Sequence, residues 1–283
     1  MRSRNDNHFA AEERRKLRQP DRKPALVHAE TRSPRRSLDR RSKRTEMPDF
    51  DAASAAFTAI YVNKVWGGGS GASGPDLTQP YTRMLAEFMH NNAVTSVVDV
   101  GCGDWQFSRV MDWSGIRYQG FDVVDSVIDI NKDRFASDNI TFATMRTISD
   151  LPNADLVICK DVLQHLPNKD VTEYLDYFST NYKFAIVTND IFPDAYTNLD
   201  IPHGASRALR LDQEPFDRRI AVLVRWTITW QEHVWIKDAC LLLGGRGSPT
   251  TSAVGWRDRL GIAAAAFSNF ARRRRERVHA RPP

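Results

Sequence analysis

The chain is 283 residues long with 41% hydrophobic residues, enough for one large or two small domains built around an apolar core. No apolar run is long enough to span a bilayer, and the basic first residues are not followed by an apolar segment, so neither a membrane partner nor a secretory signal is expected. The net charge of +5 is uneven: residues 1–46 hold 15 Lys/Arg against 7 Asp/Glu (+8) and residues 271–283 hold 6 against 1 (+5), which leaves −8 on the segment between and argues against a domain shaped around a nucleic-acid groove.

Residues 1–46 are arginine-rich, poor in aromatics and without periodicity, the composition of a disordered basic tail; the alternative is an over-long start with the initiator at Met47. Phe50 to Trp66 reads as a short helix with Phe57, Ile60 and Tyr61 on one side. The run Gly67-Gly-Gly-Ser-Gly-Ala-Ser-Gly74 that follows has the composition of a flexible linker and lacks the Gly-Lys-Ser/Thr ending of a phosphate-binding loop. Tyr81 to Met89 places Met84, Leu85, Phe88 and Met89 at the spacing of an amphipathic helix.

The stretch Ser96 to Arg109 organises the rest. Val97, Val98 and Val100 suit a strand buried on both faces, Gly101-Cys102-Gly103 breaks it, and a helix is expected over Trp105 to Met111. Such a strand, turn and helix would present backbone N–H groups and a helix N-terminus to a nucleotide-like ligand. A dinucleotide fingerprint would need a third glycine where Gln106 stands, so a pyrophosphate fits poorly. Asp99, at the carboxyl end of the strand, is placed to face a ligand's ammonium group. Tyr118 to Val124 reads as the second strand, and Asp122, 19 residues after Gly103, stands where nucleoside-binding α/β folds hold a ribose. After a third strand, Asn139 to Ala143, the chain continues Thr144-Met145-Arg146 and the next acid is Asp150.

Leu156 to Ile158 form a fourth buried strand, and Lys160, Asp161 and His165 emerge beyond it on the ligand rim. His165 is the first candidate for a general base because its ordinary pKa is near neutral; Asp161 is the alternative, and Lys160 would orient a polar acceptor. A helix is signed by Asn168 as N-cap, acids at Asp170 and Glu173, and Val171, Tyr174, Leu175 and Phe178 on one face. Phe184 to Val187 is a fifth strand ending in the polar cluster Thr188-Asn189-Asp190. Asn198 to Phe216 suits an acceptor-side insertion in which Arg207 either holds an anionic or polar acceptor or forms a surface ion pair. Ala221 to Trp230 and Val234 to Leu243 form an antiparallel hairpin, and residues 244–283 are a poorly defined extension with a basic tail at Arg272 to Arg275. Cys102, Cys159 and Cys240 show neither paired nor metal-ligand spacing, pointing to a reducing, cytoplasmic setting and no metal.

Asp99-Val-Gly101-Cys102-Gly103 resembles the first motif of class I S-adenosylmethionine-dependent methyltransferases. Trp66-Gly-Gly-Gly-Ser-Gly71, with Ile60-Tyr61 before it and Gln79-Pro80-Tyr81 after it, is similar to the lead-in of one bacterial group that continues Val98-Asp-Val-Gly-Cys-Gly-Asp-Trp-Gln-Phe-Ser108. The resemblance spans roughly Ile60 to Leu243. It implies a Rossmann-like, doubly wound, mostly parallel seven-stranded α/β sheet with an antiparallel C-terminal hairpin, in a domain over 47–243. It implies S-adenosylmethionine as cofactor, with Asp99, Gly101, Cys102, Gly103, Asp122, Val123 and Trp66 binding it and segment 50–80 acting as a lid anchored by Trp66, although Trp66 could equally pack the helix onto the core. Lys160-Asp-Val-Leu-Gln-His-Leu166 resembles the corresponding segment of small-molecule methyltransferases and lacks the Asn/Asp-Pro-Pro-Tyr/Phe of enzymes acting on planar amines. The implied acceptor is a small polar molecule, such as a hydroxyl of a sugar or surface glycan precursor. Two other readings stand beside it: a non-catalytic S-adenosylmethionine-binding interaction module, and an RNA methyltransferase anchored by the basic tails.

Overall fold

The computed structural model describes residues 48–191 and 197–244. The expectations for the tail at 1–46, a start at Met47 and the extension after Gly244 lie outside the described residues.

The first helix, α1 (Phe50–Val62), begins where the Asp49 carboxylate accepts a hydrogen bond from the Ala52 amide at 3.0 Å. The second, α2 (Pro75–Asn91), opens on Pro75, whose missing N–H is no loss in a first turn. The strands are β1 (Ser96–Val100), β2 (Arg117–Asp122), β3 (Ile140–Thr144), β4 (Leu156–Lys160), β5 (Phe184–Asp190), β6 (Ile220–Trp230) and β7 (His233–Leu242). Two further helices are α3 (Asp125–Phe135), which the hydrophobic pattern did not announce, and α4 (Asn168–Asn181).

The sheet runs β3-β2-β1-β4-β5-β7-β6, with β1 to β5 parallel, β7 antiparallel to β5 and β6 antiparallel to β7. This is the expected seven-stranded, mostly parallel sheet with an antiparallel C-terminal hairpin. Its central strands alternate between two apolar layers, so each reads as a continuous hydrophobic run. Val98, Val100, Val157, Cys159, Ala185 and Val187 face the side packed by α1 and α4. Val97, Leu156, Ile158 and Ile186 face the other, with α2 and the hairpin's Trp226 and Leu241. The hairpin turns on Gln231 and Glu232, both at positive φ (49° and 64°), the conformation whose twist matches the flanking strands.

Two local expectations need correction. No α-helix lies between the glycine turn and β2: Trp105 takes a left-handed φ of 58°, and the only helical piece between them is a single 3-10 turn at Ser108–Val110. Aromatic rings fill that space, with Trp105 5.4 Å from Phe142 and 4.9 Å from Phe135, and Trp113 4.5 Å from Tyr118, centroid to centroid. The Trp113 indole closes the segment by donating to the Ser108 carbonyl at 2.8 Å. The second correction is that Asn168 is the first residue of α4 and not its cap; its amide oxygen accepts from Arg207 and its amide nitrogen donates to the Asn198 carbonyl.

Because the Trp105 ring replaces a helix as the cover of β1 and β2, Trp105→Ala is expected to lower unfolding stability by about 3–5 kcal/mol. Urea unfolding measures it, and a loss under ~1 kcal/mol would show that the ring is not a core element.

Candidate active site

A cavity of about 320 Å³ opens at the carboxyl ends of β1, β4 and β5, where β1 has β2 on one side and β4 on the other. That reversal of strand order is where open α/β sheets hold ligands, and the volume is within the range of small-molecule sites. One half of the wall is Gly101, Cys102, Gly103, Asp122, Val123 and Met145. Gly101 and Gly103 sit at φ of 72° and 53°, and a Cβ at either would collide, with Val162 at the first and the Ser70 hydroxyl at the second. Asp122 accepts from Gly103 N at 3.0 Å and from Val124 N at 3.1 Å. Burial pushes its carboxyl up to about 6 against the pull of those amides. The Cys102 thiol is pushed well up by burial and lies 3.9 Å from the Asn131 amide, which leaves it inert.

Asp99 is placed differently from its expected role. It lies behind the turn, outside the cavity wall, accepting from Tyr118 Oη at 2.6 Å and Ser108 Oγ at 3.4 Å. Burial raises it to about 7, and it braces the turn without meeting a ligand's ammonium directly. The cause is strand alternation: Asp99 shares the face of Val97, towards α2.

The glycine run after α1 is a roof and not a free linker. Ser70 N donates to Asp104 Oδ1 at 3.2 Å, Asp104 N donates to Ser70 Oγ at 3.0 Å, and Ser70 Oγ lies 2.7 Å from Tyr61 Oη. Trp66 lines the cavity and packs on Phe57, Tyr61 and His165 at centroid distances of 6.0, 6.1 and 5.1 Å. Its two expected roles are thus compatible.

The other half of the wall is charged. Lys160 Nζ meets Asp161 Oδ2 at 2.7 Å and Ser73 Oγ of the roof at 3.2 Å. Lys237 Nζ lies between Asp161 Oδ1 (3.0 Å) and Asp190 Oδ1 (2.6 Å). Gln164 Nε2 donates to Asp190 Oδ2 at 2.8 Å. Burial would raise Asp161, but Lys160 and Lys237 outweigh it and hold the carboxyl down at about 2. Burial raises Asp190, which among the described residues has Lys237 as its one cationic partner. His165 also lines the cavity; its Nδ1 is 2.8 Å from the Ala205 carbonyl, and burial lowers it to about 4, so the ring is neutral at physiological pH.

Arg207 fits neither reading made of it. It is buried, donating from Nη1 to the Leu163 carbonyl at 3.1 Å and from Nη2 to Asn168 Oδ1 at 2.8 Å, and so ties the 198–216 insertion to the start of α4. Arg146 turns away to Asp125 at 2.6 Å, leaving Met145 on the wall. Sequence reasoning missed Gln164, Lys237, Trp230 and Trp235 as site residues. The available signal was the Lys237-Asp238 pair inside the otherwise apolar stretch Val234 to Leu242, and its meaning depends on the register that pairs Lys237 with Asp190.

Residues 75–212 match the sequence profile of a family described as a methyltransferase domain. No curated protein matches the chain. Similar solved structures include magnesium protoporphyrin IX methyltransferase from Synechocystis PCC 6803 with bound SAH, 15% identical, with 68% of this chain and 99% of that one covered at a TM-score of 0.45. Human N-acetylserotonin methyltransferase in complex with SAM is 17% identical, with 69% and 60% covered at 0.48. The N-methyltransferase NodS from Bradyrhizobium japonicum WM9 with SAH is 14% identical, with 60% and 88% covered at 0.43. Among the described residues no helix is long and apolar enough to cross a membrane.

The depressed basicity of His165 has a signed consequence. Between about pH 6.5 and 4 the unfolded chain binds a proton that folded His165 does not, so this group's contribution to stability is lost as pH falls. His165→Gln is expected to relieve up to about 3 kcal/mol of that acid destabilisation. NMR titration of the His165 ring checks the origin: a midpoint near 6.5 instead of about 4 would refute it.

Proposed function

We propose that the chain is a class I methyltransferase that uses S-adenosylmethionine to methylate a small polar acceptor, such as a hydroxyl of a sugar or surface glycan precursor. The catalytic domain covers 47–243, with 50–80 as its lid. The observation that carries the reading is Asp122. Its carboxylate is fixed by Gly103 and Val124 at the strand-order reversal, borders the cavity beside the apolar Val123 and Met145, and lies in the segment that matches the methyltransferase profile. These residues fit a nucleoside: a carboxylate with free lone pairs suits two ribose hydroxyls, and the Val123–Met145 surface suits a flat base. Gly101, Cys102 and Gly103 form the floor beneath it, and Trp66 the apolar side of the lid.

When bound, the cofactor supplies an electrophilic methyl group on a sulfonium. The chain's task is orientation, which can lower a barrier by roughly 7–11 kcal/mol. Ser70 and Gly71 of the roof line the cavity, and Ser73 links that roof to Lys160. Lys160 orients a polar acceptor. His165 offers a neutral ring, while Asp161, paired with two ammonium groups, has the least basic carboxylate on the rim.

Calorimetric titration with S-adenosylmethionine, S-adenosylhomocysteine and NAD tests this. Binding of the first two and not the third is expected, and Asp122→Ala should weaken both by at least about tenfold, or ~1.4 kcal/mol. Unchanged affinity in Asp122→Ala would show the ribose assignment wrong, and no binding of either compound would favour the non-catalytic reading.

A further inference from the structure

We propose that the cavity half between β5 and β7 is an acceptor subsite for an uncharged, polyhydroxylated ring, in which Lys237 orients the reacting hydroxyl and Asp190 takes its proton; this rests on the methyltransferase reading above. Asp190 and Lys237 are direct partners across the antiparallel β5–β7 pair, and both line the cavity. Neither belongs to the glycine turn or the Asp122 wall.

The charges select the class of acceptor. Lys160, Asp161, Lys237 and Asp190 alternate in sign along one line of contacts at 2.7, 3.0 and 2.6 Å, so two ammonium groups and two carboxylates cancel. Among the described residues of this half, an anionic acceptor finds no unpaired ammonium and an amine finds no unpaired carboxylate; either would leave a buried charge without a partner, which is costly. Hydroxyl groups both donate and accept, and the set offers both functions. Lys237 donates one hydrogen bond, to Asp190 Oδ1, beside its ion pair with Asp161, whose Oδ1 accepts no hydrogen bond among the described residues; each Asp190 oxygen is met by one side-chain donor, Lys237 at Oδ1 and Gln164 at Oδ2, leaving lone pairs over. The indoles of Trp66, Trp230 and Trp235 line the same cavity, with Trp235 held by an Nε1 bond to the Trp230 carbonyl at 3.3 Å. A saturated ring carrying hydroxyls on its rim has apolar C–H faces, and indole surfaces suit those while the hydroxyls reach the charged line.

Among the rim groups Asp190 is the one placed to take a proton. Asp161 lies between two ammonium groups, whereas Asp190 meets one and an uncharged amide. Gln164 also fixes Asp190 from the other side, its Oε1 accepting the Asp190 backbone N–H at 2.6 Å. In the step, an acceptor oxygen lone pair forms the O–CH₃ bond, the S–CH₃ bond breaks with its electron pair going to sulfur to leave a neutral thioether, and the O–H proton passes to the Asp190 carboxylate.

The test uses the full chain saturated with S-adenosylhomocysteine and reads tryptophan fluorescence. The probes are methyl α-D-mannopyranoside, methyl α-L-rhamnopyranoside and N-acetyl-D-glucosamine, against D-glucuronate and D-glucosamine. At least one neutral sugar should quench, with the charged sugars about tenfold or more weaker, and Lys237→Met should weaken the neutral sugar about tenfold. Asp190→Asn should bind that sugar within roughly threefold of the parent yet transfer a methyl group to it at least about 100-fold more slowly, a split that a purely structural role would not produce. Trp235→Ala, which removes no charged group, should cut sugar binding about tenfold with S-adenosylhomocysteine affinity unchanged, and it serves if Asp190→Asn does not fold. Charged sugars binding as well as neutral ones, no quenching by any neutral sugar in protein that binds S-adenosylhomocysteine, or parental transfer by Asp190→Asn would each overturn the proposal. Failure to bind S-adenosylhomocysteine at all would instead remove the methyltransferase reading beneath it.

Discussion

The structure depends on how closely the chain leaving β1 passes the end of β2. Gly101 N and Cys102 N both donate to the Phe121 carbonyl, at 2.7 and 3.0 Å, and Gly103 N donates to Asp122. Two positive φ values with no room for a Cβ make this approach possible. Everything at the site is referred to it: Asp122 is aimed by it, α3 is tied to it through Asn131 Nδ2 on the Gly103 carbonyl at 2.7 Å, and the roof rests on it through Ser70 and Asp104.

A second constraint couples the far side of the cavity to the first. Four buried charges persist only because each has an opposite partner, and removing one partner of a buried pair typically costs about 3–5 kcal/mol while the intact pair adds little. The line from Lys160 to Asp190 is therefore better understood as a device for shape than for stability. It joins β4, β5 and β7, and through Ser73 it reaches the roof. Roof and rim are linked by two sets of contacts at opposite ends of one short segment, Ser70 with Asp104 and Ser73 with Lys160.

What was legible in the sequence follows from range. Val97, Val98 and Val100, Leu156 to Ile158, and Phe184 to Val187 announce strands because burial on both faces leaves no polar positions, and the spacing from Gly103 to Asp122 is set by one crossover. The features that were not legible depend on distant partners. The helix expected over Trp105 to Met111 gives way to a plug because Phe135 and Phe142, from other elements, take the Trp105 ring. The glycine run reads as a linker until Asp104 meets Ser70. Lys237 becomes a site residue only through the hairpin register, and the direction of Asp99 follows from which face of β1 Tyr118 occupies.

The absent helix also bears on which ligand the site can hold. A helix after the glycine turn would bring the positive end of its dipole and free N–H groups, the features that favour phosphate. Here the amides of the turn are engaged in sequence: Gly101 and Cys102 on Phe121, Gly103 on Asp122, Asp104 on Ser70 and Trp105 on the Cys102 carbonyl. A pyrophosphate arriving at this turn would find no free donor among them, and the Asp122 side chain that accepts from Gly103 is a carboxylate. A nucleoside that carries a cationic sulfonium and no phosphate meets neither obstacle. The engagement of these amides thus argues against a dinucleotide independently of the missing third glycine at Gln106, and it does so from geometry that no spacing rule encodes.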